Sequence, residues 1–295
     1  MSSDDVLHRF QLERAGVRGG FVRLESSWAG ILRHARHPPA LLRLLGEALA
    51  ASALLSGTIK FDGSLSIHLR TGGPLRLLFA ECGSNGGLRG IVRWEGAEPI
   101  GPVDLRQPGA QLAITIENIQ SATRYQGLVA VESGSFAESL EGYFRQSEQL
   151  PTRIVLCQHG DRCGGLILQR VAEAGGIGAA DDEDGWNRVG HVLATLTEDE
   201  LLGLPVETLL YRLFHEEGVR LEPARPLEFA CSCSQERVAG MLRALGREES
   251  EAALDAGGII EVICQFCGHP YRLDRVDLEL VLAEALVPPL PATPQ

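Results

Sequence analysis

The chain has 295 residues, 44% apolar and 22% charged, with a net charge of −12, an ordinary globular composition sufficient for one large domain and a smaller one. Residues 1–178 hold 18 basic against 17 acidic residues, 179–230 hold 4 against 12, and 231–295 hold 5 against 10, so the acidic C-terminal part is a poor match for a phosphate backbone. The opening MSSDDVLHRF lacks the basic and apolar regions of a signal peptide, and the longest uncharged apolar-rich stretch, 12 residues between Glu47 and Lys60, is too short to cross a bilayer. A cytoplasmic protein with neither a membrane nor a nucleic-acid partner is expected. Every basic residue except Lys60 is an arginine.

Along the chain, Ser26-Ser27 opens an amphipathic stretch to about Arg36. Pro38-Pro39 breaks it and starts a second helix to about Ser56, with Leu41, Leu42, Leu45, Ala48 and Leu55 as its apolar face. Alternating runs at 65–69, 75–79, 88–94, 112–116 and 125–131 predict strands, with turns at Gly72-Gly73-Pro74 and Gly83–Gly87. Cys82 is placed in a turn. Ser135-x-x-Glu138 is a capping box opening a helix to about Gln149. Arg153–Cys157 and Gly164–Leu168 predict a hairpin around His159-Gly160-Asp161. Strands joined by turns, with helices set apart, define an α+β class with antiparallel sheet over residues 1–178.

Gly175–Asp184 forms an acidic, glycine-rich boundary. Residues 179–230 follow as a linker, helical in pattern over 185–218, with a capping box at Thr197-x-x-Glu200 and Pro205 in the first turn of a further helix. Its stripes are Trp186, Val189, Val192, Leu193 and Leu196, then Leu209, Leu210, Leu213 and Phe214. The segment is too small to fold alone and must dock on a neighbour, and its negative charge predicts docking that is not tight everywhere. Residues 231–287 form a cysteine module, and 288–295, rich in proline, read as a disordered tail.

The module holds Cys231-Ser-Cys233, thirty intervening residues, then Cys264-Gln-Phe-Cys267. Two close pairs across a modest loop have the spacing of a tetrahedral four-cysteine zinc site. Gly268 relieves the turn's demand for positive φ. A module this small buries little core, so a bound metal would supply most of its folding energy, roughly 10–16 kcal/mol in small zinc modules. Zinc-bound sulfurs are thiolates, the form that oxidants attack. Oxidation has two routes: bridges between the pairs, which keep the loop that zinc closed, or bridges within each pair, which close tiny loops and stabilise little. Proximity in sequence favours the second, and the module would then unfold.

The residues resemble the heat-shock protein 33 family of redox-regulated holdase chaperones. Phe229-Ala-Cys-Ser-Cys-Ser-Gln-Glu-Arg-Val238 and Cys264-Gln-Phe-Cys-Gly-His-Pro-Tyr271 are similar to its zinc centre. Ile59-Lys-Phe-Asp-Gly63, Arg124-Tyr-Gln-Gly127, Tyr143-Phe-Arg-Gln-Ser-Glu-Gln-Leu-Pro-Thr-Arg153 and Leu213-Phe-His-Glu-Glu217 extend the likeness to nearly the whole chain. The resemblance implies one zinc on Cys231, Cys233, Cys264 and Cys267 in an inactive reduced state. It implies that oxidation releases zinc and forms Cys231–Cys233 and Cys264–Cys267 disulfides. The module and linker would unfold, the chain would form a homodimer, and unfolding client proteins would be held without ATP. The N-terminal domain would remain folded.

Cys82, Cys157 and Cys163 lie outside this pattern. Free thiols are the plainer reading, and an auxiliary disulfide or metal contact between Cys157 and Cys163 stays open. His269 follows the fourth cysteine, but four sulfurs already fill the shell. His34, His68 and His191 read as surface or packing residues. A zinc-ribbon nucleic-acid module would need a basic stripe that the acidic module lacks. A thiol oxidoreductase would place Cys264-x-x-Cys267 at a helix start in a βαβ unit, whereas the flanks here read as a hairpin. Hydrolase and nucleotide-binding motifs are absent from the sequence, so no enzyme is expected.

Overall fold

The computed structural model describes residues 5–170 and 183–284. The chain divides into two units, one ending at Ala230 and one beginning at Cys231. Residues 175–182 of the expected boundary and the tail from Pro288 lie outside the described residues.

The first unit opens with a hairpin that the sequence reading passes over, β1 (Val6–Leu12) and β2 (Val17–Leu24). Helix α1 (Ser26–Leu32) stops short of Arg36, and α2 (Pro39–Ser56) begins as expected with proline in its first turn, where a missing N–H leaves no acceptor unpaired. Strands β3 (Gly63–Arg70), β4 (Leu75–Gly83), β5 (Gly87–Trp94), β6 (Gln111–Asn118) and β7 (Thr123–Ala130) match the alternating runs. The Ser135 hydroxyl caps α3 (Phe136–Tyr143) by accepting from the Glu138 N–H at 3.2 Å. The helix does not reach Gln149; it gives way to a π-helical turn, Phe144–Glu148, that ends with Gln149 at φ 53°. β8 (Thr152–His159) and β9 (Arg162–Arg170) are the expected hairpin. Then come α4 (Glu183–Leu193), α5 (Glu198–Gly203), α6 (Val206–Phe214) and three short strands, β10 (Val219–Leu221), β11 (Arg225–Pro226) and β12 (Glu228–Phe229).

One sheet has the order β10-β1-β2-β9-β8, with β11 also on β1; the other runs β12-β5-β4-β3-β6-β7. The α+β class is therefore as expected, with antiparallel pairing throughout both sheets except the short β12–β5 contact, which is parallel. Helix α2 packs on the inner faces of both sheets, with Leu41, Leu45, Leu49 and Leu54 in the main core. By length and composition alone α2 could cross a membrane; its apolar side chains are instead buried against sheet on both sides, as an all-round apolar helix requires.

The other face of the first sheet is covered by α4–α6. Val189, Leu193, Leu201, Leu209, Leu210 and Phe214 share a second core with Phe10, Leu12, Phe21 and Leu168. A sheet covered on both faces does not show alternation, which is why β2, buried over most of its length, left no period-two signal. Burial along the two stripes is uneven. Val189, Leu193, Leu209, Leu210 and Phe214 are buried, whereas Trp186, Val192, Leu196 and Leu213 are only partly so; acidic residues of the segment meet arginines, as in Arg212–Glu200 at 2.9 Å and Arg9–Glu222 at 2.9 Å. The segment also adds three strands to the two sheets, beyond the helices expected of it.

The second unit comprises α7 (Gln235–Leu245), α8 (Arg247–Ala252), a hairpin of β13 (Ile259–Ile263) and β14 (Pro270–Asp274), and α9 (Arg275–Glu284). Its core is Val238, Leu242, Ile260, Leu273, Leu278 and Leu282. The Asp274 carboxylate caps α9, accepting from the Val276 and Asp277 N–H groups at 2.8 Å each.

Candidate metal centre

The β13–β14 hairpin pairs Ile263 with Pro270, leaving residues 264–269 as its loop. Within it the Gly268 N–H donates to the Cys264 carbonyl at 2.8 Å and the Cys264 N–H to the His269 carbonyl at 2.9 Å. Gly268 has φ 68°, the left-handed geometry expected of it, and a side chain there would be strained. This turn carries Cys264 and Cys267. Cys231 and Cys233 come from the extended segment before α7, where the Ser234 hydroxyl accepts from the Arg237 N–H at 3.3 Å and fixes the helix start.

The four sulfurs all lie within 4.8 Å of one another. Cys231 Sγ is 3.6 Å from Cys264 Sγ, and Cys233 Sγ is 3.4 Å from Cys267 Sγ. These separations exceed a disulfide bond of about 2.05 Å. They approach the roughly 3.8 Å edge of a tetrahedron with metal–sulfur distances of about 2.3 Å. The donor set and its spacing thus suggest a metal site built from all four cysteines.

Without an ion the thiols are unequal. The Tyr271 hydroxyl donates to Cys233 and lowers its pKa to about 7, while Tyr271 itself is pushed up to about 12 by the same bond. Burial pushes Cys231 and Cys267 up. Cys233 therefore holds negative charge more readily than Cys231 or Cys267. Tyr271 went unremarked as a site residue, although it stands in the segment similar to the family's zinc centre. His269 stacks edge-on against Tyr271 at 4.7 Å.

The other cysteines are placed differently from expectation. Cys82 is not in a turn; β4 continues through it to Gly83, opposite Leu65, and it is fully buried. Cys157 and Cys163 lie on neighbouring strands but one position out of register, Cys157 opposite Gly164 and Cys163 opposite Gln158. A one-residue offset puts them on opposite faces: Cys163 joins the α2 core and Cys157 the core beneath α4–α6. They form no disulfide and no shared metal site, so the plainer reading holds. Burial pushes Cys157 up to about 12 and raises Cys163 as well, the mark of unreactive thiols.

The attachment of α5 depends on residues that carried no sequence signal. Arg23, 8% exposed, donates to the carbonyls of Leu201, at 2.9 Å, and Leu204. Arg162 donates to the Leu202 carbonyl at 3.3 Å and pairs with Glu25 at 2.9 Å. Two guanidinium groups thus meet the unpaired carbonyls at the C-terminal end of α5. Arg43 on α2 bridges Glu47 and Glu198. Arg188 on α4 forms a two-point pair with the buried Glu217 at 2.6 and 3.0 Å.

Two sheets around a central helix, followed by a small unit that gathers four cysteines, define a bimodular α+β protein with a candidate thiolate metal centre. The family described as Hsp33 protein matches residues 5–274. The 33 kDa chaperonin of Nitrosococcus oceani is 42% identical over 293 residues, covering 99% of each chain. That of Ectopseudomonas mendocina is 44% identical over 286 residues, covering 96% of each. The crystal structure of the 33 kDa chaperonin of Thermotoga maritima superposes with a TM-score of 0.80 at 21% identity, over 96% of this chain and 99% of that one. The chain belongs to the Hsp33 family of chaperones.

Proposed function

We propose that the chain is a redox-regulated, ATP-independent holdase of the cytoplasm, resting in a reduced form with one zinc ion held by Cys231, Cys233, Cys264 and Cys267. The convergence of four sulfurs in a unit with so small a core supports this reading most directly. When bound, zinc clamps the segment before α7 to the β13–β14 turn and keeps all four sulfurs as thiolates. Apparent binding energies of roughly 10–16 kcal/mol for such sites are comparable to burial of the unit's whole apolar core, at about 1.5–3 kcal/mol per side chain, so loss of the metal would remove a large share of its stability.

Oxidation then removes the clamp. Two thiolates transfer two electrons to one peroxide, which leaves as water, and a disulfide forms; two such events consume all four cysteines. The reduced geometry allows either pairing. A bridge between Cys231 and Cys264, 33 positions apart, would restrain the unfolded chain by about 4 kcal/mol, and a bridge within a pair by less than about 2 kcal/mol. We propose the pairs Cys231–Cys233 and Cys264–Cys267, because they leave the unit without its clamp. β12 ends its short pairing with β5 at Phe229, the Ala230 N–H donates to the Leu88 carbonyl at 3.0 Å, and Ala230 is joined directly to Cys231. Unfolding of the unit would free that end of the 179–230 segment, uncover the apolar face of the first sheet, and permit homodimers to hold unfolding proteins.

The test combines zinc content, thiol count, disulfide mapping and light scattering of an aggregating client, before and after peroxide at mild heat. Release of one zinc per chain, local disulfides and onset of aggregation suppression are expected. Retained zinc with no change in client aggregation would make the centre structural; disulfides between the pairs would overturn the proposed pairing.

A further inference from the structure

Two cavities open where α2 stops at Ser56, leaving the inner faces of the sheets unfilled. One, about 210 Å³, is walled mainly by Leu55, Leu65, Ile114, Ile116, Phe144 and Leu150. The other, about 250 Å³, has Arg9, Arg18, Lys60 and Glu222 among its lining residues. Arg18, Thr58, Ile59 and Gln169 line both, so an apolar chamber and a cationic one meet at a shared rim.

The charges are unbalanced. Arg9 is paired with Glu222 at 2.9 Å. Among the described residues no carboxylate lies within ion-pair distance of Arg18 or Lys60. Arg18 is held in place by its Nε, which donates to the Gln169 side-chain oxygen at 3.1 Å; Gln169 is 1% exposed and donates onward to the Thr152 hydroxyl at 3.3 Å. That anchor leaves the two terminal nitrogens of Arg18 available. Partial burial lowers its pKa, with no acid to oppose the effect. At the far side of the apolar chamber, Glu148 accepts from the hydroxyls of both Tyr125, at 2.8 Å, and Tyr143, at 3.1 Å. A second anion is repelled there and favoured at Arg18, so the site has a direction. The same walls explain motifs that the metal centre leaves unused. Lys60, Tyr125, Phe144 and Glu148 come from three of the segments that carry the family resemblance, and the lone lysine of the chain stands at the cationic rim.

We propose that these joined chambers bind an amphipathic carboxylate, with its head at Arg18 and Lys60 and its apolar chain between the sheets. Charge complementarity selects the head, and apolar burial selects the chain. The test is calorimetric titration of the reduced full chain with sodium decanoate below its micelle concentration, with decanol as the uncharged control. One saturable site per chain is expected, with decanol at least tenfold weaker. Arg18→Gln and Lys60→Gln should each weaken decanoate at least fivefold and leave decanol within twofold; both alter side chains at the surface rim, and far-ultraviolet circular dichroism checks the fold. Ile116→Trp, which fills the apolar chamber, should weaken both ligands. Absence of a saturable site, equal affinity for decanol and decanoate, or indifference to both rim substitutions would each overturn the proposal.

Discussion

The helices α4–α6 and the cysteine unit are neighbours in sequence and are stabilised in contrasting ways. The helices share a core of 16 buried residues with the first sheet, reinforced by the arginine contacts at α5 and the Arg188–Glu217 pair. The cysteine unit, among the described residues, has a core cluster of six buried apolar residues and a cluster of four sulfurs. One segment borrows a large sheet; the other has a small core of its own and the cluster of four sulfurs. If the four sulfurs hold a metal as proposed, the second kind of structure suits a trigger, because oxidation of its ligand thiolates would dismantle the centre whereas an apolar core is lost only cooperatively. Under the proposed function, release of the α4–α6 segment from that core would follow loss of the metal as a further step with its own free energy.

The largest effect should come from Cys264→Ser. It removes one of the four sulfurs proposed to hold the metal, and metal affinity should fall by orders of magnitude, since the closed thiolate shell loses a ligand. Hydrogen exchange should show protection lost across 231–284 while α2 keeps its own; unchanged affinity and protection would break the contrast at its root. Leu209→Ala comes next. Leu209 is 1% exposed in the second core, and its truncation should cost about 2–5 kcal/mol, raising exchange in α4–α6 without changing metal content. If the cysteine unit loosened equally, the two regions would be one cooperative structure. Arg23→Met should cost about 2 kcal/mol, because the Leu201 and Leu204 carbonyls lose a charged donor in a buried place. Its signature is faster exchange confined to α5 and the start of α6. A uniform loss over the first unit would show that Arg23 supports the sheet and not the docking of α5.

Much of this architecture is written in short-range signals. Ser135 and Thr197 cap helices through bonds to residues three positions on. Pro39 starts α2, Gly268 turns the cysteine hairpin, and the Cys157–Cys163 hairpin was anticipated from its strand–turn–strand pattern. The cysteine spacing pointed to a metal centre because ligands a few residues apart are brought together by local turns. Where the reading failed, the missing information was distant. Cys82 was placed in a turn because glycines follow it, yet pairing with β3 carries the strand onward. The acidity of residues 179–230 does not tell which stripe residues insert: Leu209 and Phe214 are buried, Leu213 only partly.

Composition, caps, turns and cysteine spacing determined the class of fold, the order of its elements and the four sulfurs of the candidate centre, because each signal acts over a few residues. Tertiary structure alone decided that β2 is covered on both faces, that Cys157 and Cys163 face apart, and that Arg23 meets carbonyls 178 and 181 positions away. Such pairings have no local pattern: they exist only after α2 and α5 have packed on opposite sides of one sheet, and that packing excludes the water that would otherwise satisfy the same groups.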